Sequence, residues 1–235
     1  MDIRLVFVPG FMQRGSAWAP VADLLGERYP SVLLDHRQHD FEGRLRELAA
    51  AGEGAVLCGY SLGGRLALHA AVREPDRFAG LITVSATAGI DDPDARAART
   101  EADERLAAWI ENAAIDDVVA IWERQPLFAD QSESLVEQQR PGRLSHDPRE
   151  LASLLRTAGQ GVLEALWGEL SRLSLPVLVV AGARDRRYAE VARRLADVVP
   201  DGRLQIVAGA GHAPQLERPD LVAGVLRDFI DRHFG

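Results

Sequence analysis

The sequence predicts an α/β domain: a mostly parallel β-sheet with helices on both faces and an inserted helical segment. Short apolar runs alternate with segments of helical periodicity, which is the pattern of parallel strands buried on both faces. Several of these runs end at Pro-Gly or Gly, as strands do where they enter a turn. The 235 residues suffice for one such domain with an insertion.

Six apolar runs are predicted to be strands, and two helices are predicted between them. The helices cover residues 19–29 and 41–51, where the apolar residues follow helical periodicity. In chain order the predicted strands are residues 5–8, 31–35, 55–58, 81–84, 176–181 and 204–207.

Residues 86–175 interrupt the alternation of strands and helices. The segment is rich in Ala, Arg, Glu and Gln, has no strand pattern, and contains Trp109, Trp122 and Trp167. We interpret it as a helical cap over a site at the strand ends, because it leaves the sheet at that edge. The alternative is a simple packing layer. The predicted core is therefore residues 1–85 and 176–235, with the cap between them.

Composition excludes several classes of protein. A net charge of −8 argues against nucleic acid and anionic membranes as partners, and the single cysteine, Cys58, excludes a disulfide framework. No apolar run approaches a membrane span. Residues 1–8 enter a strand at once and lack signal-peptide features, so we expect a cytoplasmic protein, a monomer or small homo-oligomer.

The most informative stretch is Gly-Tyr-Ser-Leu-Gly-Gly-Arg at residues 59–65. It has the G-x-S-x-G spacing of a nucleophile elbow between a predicted strand and a predicted helix. The turn is so sharp that neighbouring side chains must be nearly absent, which explains the three glycines. Ser61 is therefore a candidate catalytic nucleophile or base.

A serine needs a histidine to take its proton and a carboxylate to orient that histidine. In this strand–turn–helix context the chain order is Ser, then Asp or Glu, then His. Asp185 follows the fifth predicted strand and His212 follows the sixth. Both stand at carboxyl ends of parallel strands, where such folds place their sites. The sequence therefore predicts a Ser61–His212–Asp185 triad.

A developing oxyanion needs two backbone N–H donors. The amide of Leu62, which follows the nucleophile, is the first candidate. The second is the amide of Phe11, in the turn after the first strand, where Gly10 permits close approach. An ordinary strand-ending turn is the alternative explanation for Pro9-Gly10.

The remaining histidines do not indicate a metal site. His36 and His39 are close together, but they lie in a polar segment without further ligands, and we predict a solvated loop there. His69, His146 and His233 have no sequence context that requires chemistry. No metal or cofactor is expected.

Arg65 narrows the substrate class. It lies four residues after Ser61 and therefore on the same helix face, one turn further on. An unpaired charge so close to the site is costly, so it needs an anionic partner. A substrate carboxylate is suitable. A salt bridge within the protein is the alternative.

Together these residues resemble the α/β-hydrolase superfamily over nearly the whole chain. Three segments resemble one of its families more specifically: residues 59–65, Trp122 with the Gln-Pro-Leu-Phe of residues 125–128, and residues 182–188. That family is 2-succinyl-6-hydroxy-2,4-cyclohexadiene-1-carboxylate synthase of menaquinone biosynthesis. It implies a lyase that eliminates pyruvate from 2-succinyl-5-enolpyruvyl-6-hydroxy-3-cyclohexene-1-carboxylate, with the serine oxygen as the immediate base and no cofactor.

The resemblance also implies substrate-binding residues for a small polycarboxylate. Three arginines would bind its carboxylates, and two aromatic residues would shape the pocket. Arg143 is an alternative to Arg140, because a helix register can shift by one turn. The implied residues are Tyr60, Arg65, Arg99, Trp122 and Arg140.

Two segments depart from the family pattern. Pro9-Gly10 replaces the common His-Gly before the oxyanion turn, and residues 35–40 lack the usual Pro-Gly-His-Gly. The alternative function is a carboxylesterase or carbon–carbon bond hydrolase on the same scaffold. A third class, a non-catalytic receptor for a small acid, is disfavoured by the complete set of Ser61, Asp185 and His212.

Overall fold

The computed structural model describes residues 3–235, so the first two residues of the predicted core lie outside the described part. Its six-stranded sheet has the order β2-β1-β3-β4-β5-β6, with every neighbouring pair parallel. This confirms the predicted fold class. The strands are β1 (Leu5–Val8), β2 (Ser31–Leu33), β3 (Val56–Tyr60), β4 (Gly80–Val84), β5 (Val177–Gly182) and β6 (Gly202–Val207).

Helices cover both faces of this sheet. Alternate strand residues point to opposite faces, so Val6 and Val8 join one apolar cluster while Leu5 and Phe7 join the other. The core helices are α1 (Ala19–Leu25), α2 (Phe41–Ala51), α3 (Leu62–Arg73), α8 (Arg186–Val198), α9 (Pro214–Glu217) and α10 (Pro219–Phe234). Helices α2, α3 and α8 pack on the first cluster; α1, α9 and α10 pack on the second.

Two predicted elements are shorter than expected. Helix α1 ends at Leu25, four residues before the predicted end, because Gly26 adopts a φ of 69° that terminates the helix. Strand β2 ends at Leu33, two residues early, and the chain then continues as a loop to the start of α2.

Between β4 and β5 the structure has four helices and no strand. They are α4 (Pro93–Ile110), α5 (Ile115–Glu123), α6 (Glu133–Leu144) and α7 (Pro148–Ala158). Their apolar residues form a third cluster, which includes Ile110, Val118 and Leu151 and also takes in Met12 from the turn after β1. The helical segment thus has an apolar core of its own that continues onto the sheet edge.

The elbow between β3 and α3 depends on close backbone contacts. Ser61 has a φ of 49°, a conformation that is strained for a residue with a side chain. A Cβ atom on Gly63 would collide with the carbonyl oxygens of Val8 and Pro9, and one on Gly59 would collide with the Gly63 backbone. Only hydrogen at these positions lets the start of α3 rest on the ends of β1 and β3.

The loop before α2 differs from its prediction. His36 is not solvated: it is 8% exposed, and its Nδ1 lies 2.7 Å from Glu47 Oε2. Burial, with the nearby positive charge of Arg44, lowers the pKa of His36 to about 4. His39 lies 3.1 Å from Glu150 of α7, so the loop also joins the core to the inserted helices.

No helix within residues 3–235 is both long enough and apolar enough to cross a bilayer.

The elbow contacts predict the effect of Gly63→Ala. The added methyl group has no space between α3 and the end of β1, so we expect the free energy of unfolding to fall by about 1–3 kcal/mol, as in other overpacked sites. Urea denaturation measures this value.

Gly224→Ala is the matched control for Gly63→Ala. Gly224 lies inside α10 with no atom close to the position of a Cβ, so helix propensity predicts an unchanged or slightly higher stability. Equal destabilisation by the two substitutions would contradict the role given to the elbow contacts.

Burial of His36 predicts a pH-dependent stability. Its pKa of about 4 in the folded state lies below the 6.5 of a free histidine, so between these values the unfolded chain binds a proton that the native protein does not. The contribution of His36 to the free energy of unfolding is fully present above pH 6.5. It decreases as the pH falls towards 4, by up to about 1.4 kcal/mol per pH unit.

Comparison with His36→Gln isolates this contribution. The difference in unfolding free energy between the parent and the variant should be constant above pH 7 and change in favour of the variant as pH falls to 5. A difference that does not depend on pH would show that His36 does not titrate as its burial predicts.

Candidate active site

The predicted triad residues come together at the carboxyl edge of the sheet. Ser61 stands between β3 and α3, Asp185 caps the N-terminus of α8 just after β5, and His212 lies in the loop after β6. Because all six strands are parallel, their carboxyl ends lie at one edge, and residues far apart in sequence converge there.

His212 links the other two side chains. Its Nδ1–H donates to Asp185 Oδ2 at 2.6 Å, and its Nε2 accepts from Ser61 Oγ at 3.4 Å. Burial raises the pKa of Asp185, but hydrogen bonds from His212 and from the Tyr188 backbone N–H outweigh it, so the pKa lies below the ordinary value. An ionised Asp185 keeps the Nδ1–H tautomer, which leaves Nε2 free to take a proton from serine.

The surroundings of His212 hold its ring in place. The Tyr188 ring packs edge-on against it, with 4.5 Å between centroids. On the loop itself, the Glu217 carboxylate accepts hydrogen bonds from the backbone N–H groups of Gly211 and Ala213, on either side of the histidine. His212 is 2% exposed, so its orientation is determined by these neighbours rather than by solvent.

The two predicted oxyanion donors lie just beyond the carboxyl ends of two adjacent strands, β1 and β3. Val8 of β1 pairs with Gly59 of β3, so Phe11 and Leu62 are equally far along from that pair. Within residues 3–235 neither backbone N–H has an acceptor. Met12 follows with a φ of 57°, an unusual conformation for a bulky residue and typical of functional turns.

Ser61 borders two connected spaces. The large cavity has a volume of about 450 Å³ and extends between α3, α4, α7 and the start of α8. The small chamber, of about 40 Å³, lies on the His212 side. The two spaces share Phe11, Ser61, Trp122 and Leu127 as lining residues.

Arg65 lines the large cavity, one helical turn from Ser61. Its Nη1 donates to the Ala158 carbonyl oxygen at 3.1 Å, and no carboxylate within residues 3–235 forms an ion pair with it. Burial lowers the pKa of Arg65 to about 10, so the side chain remains cationic at neutral pH. The structure therefore does not contain the internal salt bridge considered from sequence.

Arg99 lines the same cavity, and part of its guanidinium already forms hydrogen bonds within the protein. Its Nε donates to Asp103 at 2.7 Å and its Nη1 to Gln160 at 2.8 Å. Asp103 and Gln160 are both buried. These two bonds aim the guanidinium and leave further N–H donors for a ligand.

Arg143, rather than Arg140, lines the small chamber. Both arginines bind Glu123, Arg143 at 2.9 Å and Arg140 at 2.6 Å. Arg143 is 4% exposed beside the chamber, whereas Arg140 is on the outer surface and lines neither space. Burial raises the pKa of Glu123, but hydrogen bonds from the two arginines outweigh it and keep the pKa below the ordinary value.

The two aromatic candidates lie where the resemblance implied. Tyr60 is 3% exposed and packs against the His212 ring at 5.5 Å between centroids. Trp122 lines both spaces and packs against Phe11 at 5.1 Å and Phe128 at 5.6 Å. These rings supply apolar wall segments on both sides of Ser61, next to the arginines.

Other reactive side chains lie away from these spaces. Cys58 is buried in β3, and burial raises the pKa of its thiol well above the ordinary value. His69 is buried and packs edge-on against Phe41. The described residues contain no group of three or more His, Cys, Asp or Glu side chains arranged to hold a metal ion.

Sequence reasoning did not assign several residues that the structure places at the site. No sequence pattern indicated a role for Asp103 or Gln160, because nothing in the sequence pairs them with Arg99. Arg187 and Tyr188 had a usable signal: they follow Asp185 by two and three residues and therefore begin the same helix that carries the triad carboxylate.

Comparison with known proteins finds relatives of this chain in sequence and in structure. A Bacillus subtilis (strain 168) protein with the provisional name 2-succinyl-6-hydroxy-2,4-cyclohexadiene-1-carboxylate synthase is 33% identical over 74% of this chain and 65% of its own length. The Yersinia enterocolitica synthase of that name is 29% identical over 97% of this chain and 86% of its own. A solved structure of MenH from S. aureus superposes with a TM-score of 0.94 at 25% identity, covering 100% of this chain and 96% of that one.

The family model described as alpha/beta hydrolase family matches residues 5–225. This range contains all six strands and every residue of the triad. The chain therefore belongs to the alpha/beta hydrolase family and is an enzyme of that superfamily.

Proposed function

We propose that this enzyme is a 2-succinyl-6-hydroxy-2,4-cyclohexadiene-1-carboxylate synthase, which eliminates pyruvate from 2-succinyl-5-enolpyruvyl-6-hydroxy-3-cyclohexene-1-carboxylate. The observation that carries the proposal is Arg65: a cation beside Ser61 without a carboxylate partner among the described residues. A buried charge without a counter-ion is costly, and a carboxylate-rich substrate supplies one. The names of the relatives from Bacillus and Yersinia support the same reaction.

In the proposed mechanism the triad acts as a base. His212 takes the Ser61 hydroxyl proton as the serine oxygen removes a proton from the substrate ring, and Asp185 stabilises the resulting imidazolium. The electron pair of the broken C–H bond, at the carbon that carries the succinyl group, forms a double bond to the neighbouring ring carbon. The existing ring double bond shifts by one position, towards the carbon that carries the enolpyruvyl oxygen. The C–O bond to the three-carbon group breaks, and that group leaves as the enolate of pyruvate, which is then protonated.

The remaining residues bind and orient the substrate. The N–H groups of Phe11 and Leu62 stabilise negative charge that develops on a carboxylate or enolate oxygen. Arg65 and Arg99 bind carboxylates in the large cavity, and Arg143 supplies a cation to the small chamber next to Ser61. The apolar rings of Trp122 and Phe128 exclude water, which an elimination does not consume.

Residues 86–175 form a cap in this proposal. Helices α4, α5 and α7 supply Arg99, Trp122 and Leu155 to the cavity walls, while the core supplies Ser61 and Arg65. A substrate held between the two sets of residues is enclosed on both sides. Arg140, which pairs with Glu123 on the outer surface, is not part of the proposed substrate contacts.

A serine hydrolase is the second candidate. The hydrogen-bonded Ser61–His212–Asp185 geometry also suits an acyl-enzyme or water-activating mechanism. An apolar ester, however, has no need of the free cation at Arg65 or of Arg99.

The elimination predicts release of pyruvate by the purified protein. With the enolpyruvyl substrate we expect continuous pyruvate formation, followed with lactate dehydrogenase and NADH. Ser61→Ala removes the base, and we expect a loss of about 10³-fold or more in kcat, as for other triad serines. Fast hydrolysis of p-nitrophenyl acetate without any pyruvate from the enolpyruvyl substrate would favour the hydrolase instead.

The role of Arg65 predicts a selective loss in Arg65→Ala. Removing a charge-assisted hydrogen bond to a carboxylate costs about 1.5–3 kcal/mol, so kcat/KM for pyruvate release should fall by roughly 10- to 150-fold. Cleavage of p-nitrophenyl acetate, which has no carboxylate, should change by no more than about threefold, within the range of indirect effects.

Arg73→Ala is the control on the same helix. Arg73 is in the last turn of α3, where it pairs with Glu42 on the surface, and its loss should leave both reactions unchanged. Equal losses of ester cleavage and pyruvate release in Arg65→Ala would show that Arg65 supports the fold of the elbow rather than the substrate.

A further inference from the structure

A side cleft opens next to the large cavity. It has a volume of about 320 Å³ and lies between the segment after β4 and helix α8, with Trp167 among its lining residues. The cleft and the large cavity share three lining residues, Gln160, Arg187 and Tyr188. These three side chains form the neck between the two spaces.

Arg187 is a cation at this neck whose guanidinium has no partner among the described residues. Within residues 3–235 its guanidinium forms neither an ion pair nor a hydrogen bond; its recorded interaction is the approach to the Tyr188 ring, at 6.0 Å from the centroid. The cleft's other arginine, Arg194, is occupied: it binds Asp91 at 2.6 Å and stacks over Trp167 at 3.7 Å. Gln160 is likewise bound by Arg99.

We propose that Arg187 binds the terminal carboxylate of the substrate's succinyl arm, and that the side cleft receives the end of that arm. The inference rests on the proposed function, because it assigns a part of the same substrate. It assigns a specificity-determining role to Arg187, which the sequence analysis did not give it and which the relatives' names do not indicate.

The positions of the cations support this assignment. The proposed substrate carries three carboxylates: one on the ring, one on the enolpyruvyl group and one at the end of the succinyl arm. Arg143 borders the small chamber at Ser61, while Arg65 and Arg99 lie in the body of the large cavity. Arg187 stands where the cavity continues outward, which suits the end of a flexible arm rather than a group on the ring.

The chemistry of Arg187 fits a carboxylate ligand. A guanidinium offers planar pairs of N–H donors that match the two oxygens of a carboxylate. Arg187 also lies close enough to Asp185 to lower the pKa of that carboxyl. The test must therefore separate binding of a ligand carboxylate from an effect on the triad.

The test uses a pair of ligands that differ only in charge. 4-Oxo-4-phenylbutanoate carries a ring, the ketone and the terminal carboxylate of a succinyl arm, and 4-oxo-4-phenylbutanamide is its neutral counterpart. Dissociation constants come from protein NMR titrations, which need no turnover. We expect the parent to bind the acid about tenfold more tightly than the amide, the size of one charge-assisted hydrogen bond.

Arg187→Met should reduce this preference to about twofold or less, because the variant lacks the guanidinium that pairs with the ligand carboxylate. Arg186→Met is the matched control: Arg186 is the neighbouring exposed arginine and borders neither space. It should keep the tenfold preference. Loss of the preference in both variants would indicate general attraction by positive charge and would overturn the proposal.

Two further outcomes would overturn the assignment: binding of neither ligand by the parent, or an undiminished preference in Arg187→Met, with or without a loss of pyruvate release. An undiminished preference with a loss of pyruvate release would place Arg187 in support of Asp185. Pyruvate release by the parent is measured in parallel, so failure of the synthase reaction is distinguished from failure of the succinyl-arm contact.

Discussion

The close contact between the start of α3 and the ends of β1 and β3 is the constraint on which the site depends. Gly63 rests against the Val8 and Pro9 carbonyls, and this contact places Ser61 at the top of the turn. The same contact places the Leu62 backbone N–H at the height of the turn after β1 that contains Phe11. Because α3 starts there, its next turn carries Arg65 to the cavity wall.

The arginines at the site differ in whether the protein itself supplies a carboxylate partner for them. Arg99 and Arg143 are held by buried acids, Asp103 and Glu123, which fix their direction. Arg65 and Arg187 have no carboxylate partner among residues 3–235. In a chain with a net charge of −8, cations without internal partners around one cavity would favour the anionic substrate of the proposed function.

Much of the core and of the triad could be predicted because the signals are local. Apolar runs ending at glycine marked the strands, and parallel strands bring their carboxyl ends to one edge, so motifs after β3, β5 and β6 had to converge. The helices inserted between β4 and β5 were less predictable, because no motif in them indicates their register. His36 was predicted to be solvated because its neighbours are polar, yet α2 covers it through Glu47.

The sequence by itself determined the parallel sheet, the strained serine turn and the order of Ser61, Asp185 and His212, since each follows from short-range sterics and strand polarity. Only the tertiary structure decided which arginine of α6 faces the site. Arg140 and Arg143 are nearly one helical turn apart and share Glu123, so packing alone buries Arg143 and leaves Arg140 outside. Packing also decides the position of Arg187. Its place between the large cavity and the side cleft depends on how α8 packs beside the inserted helices.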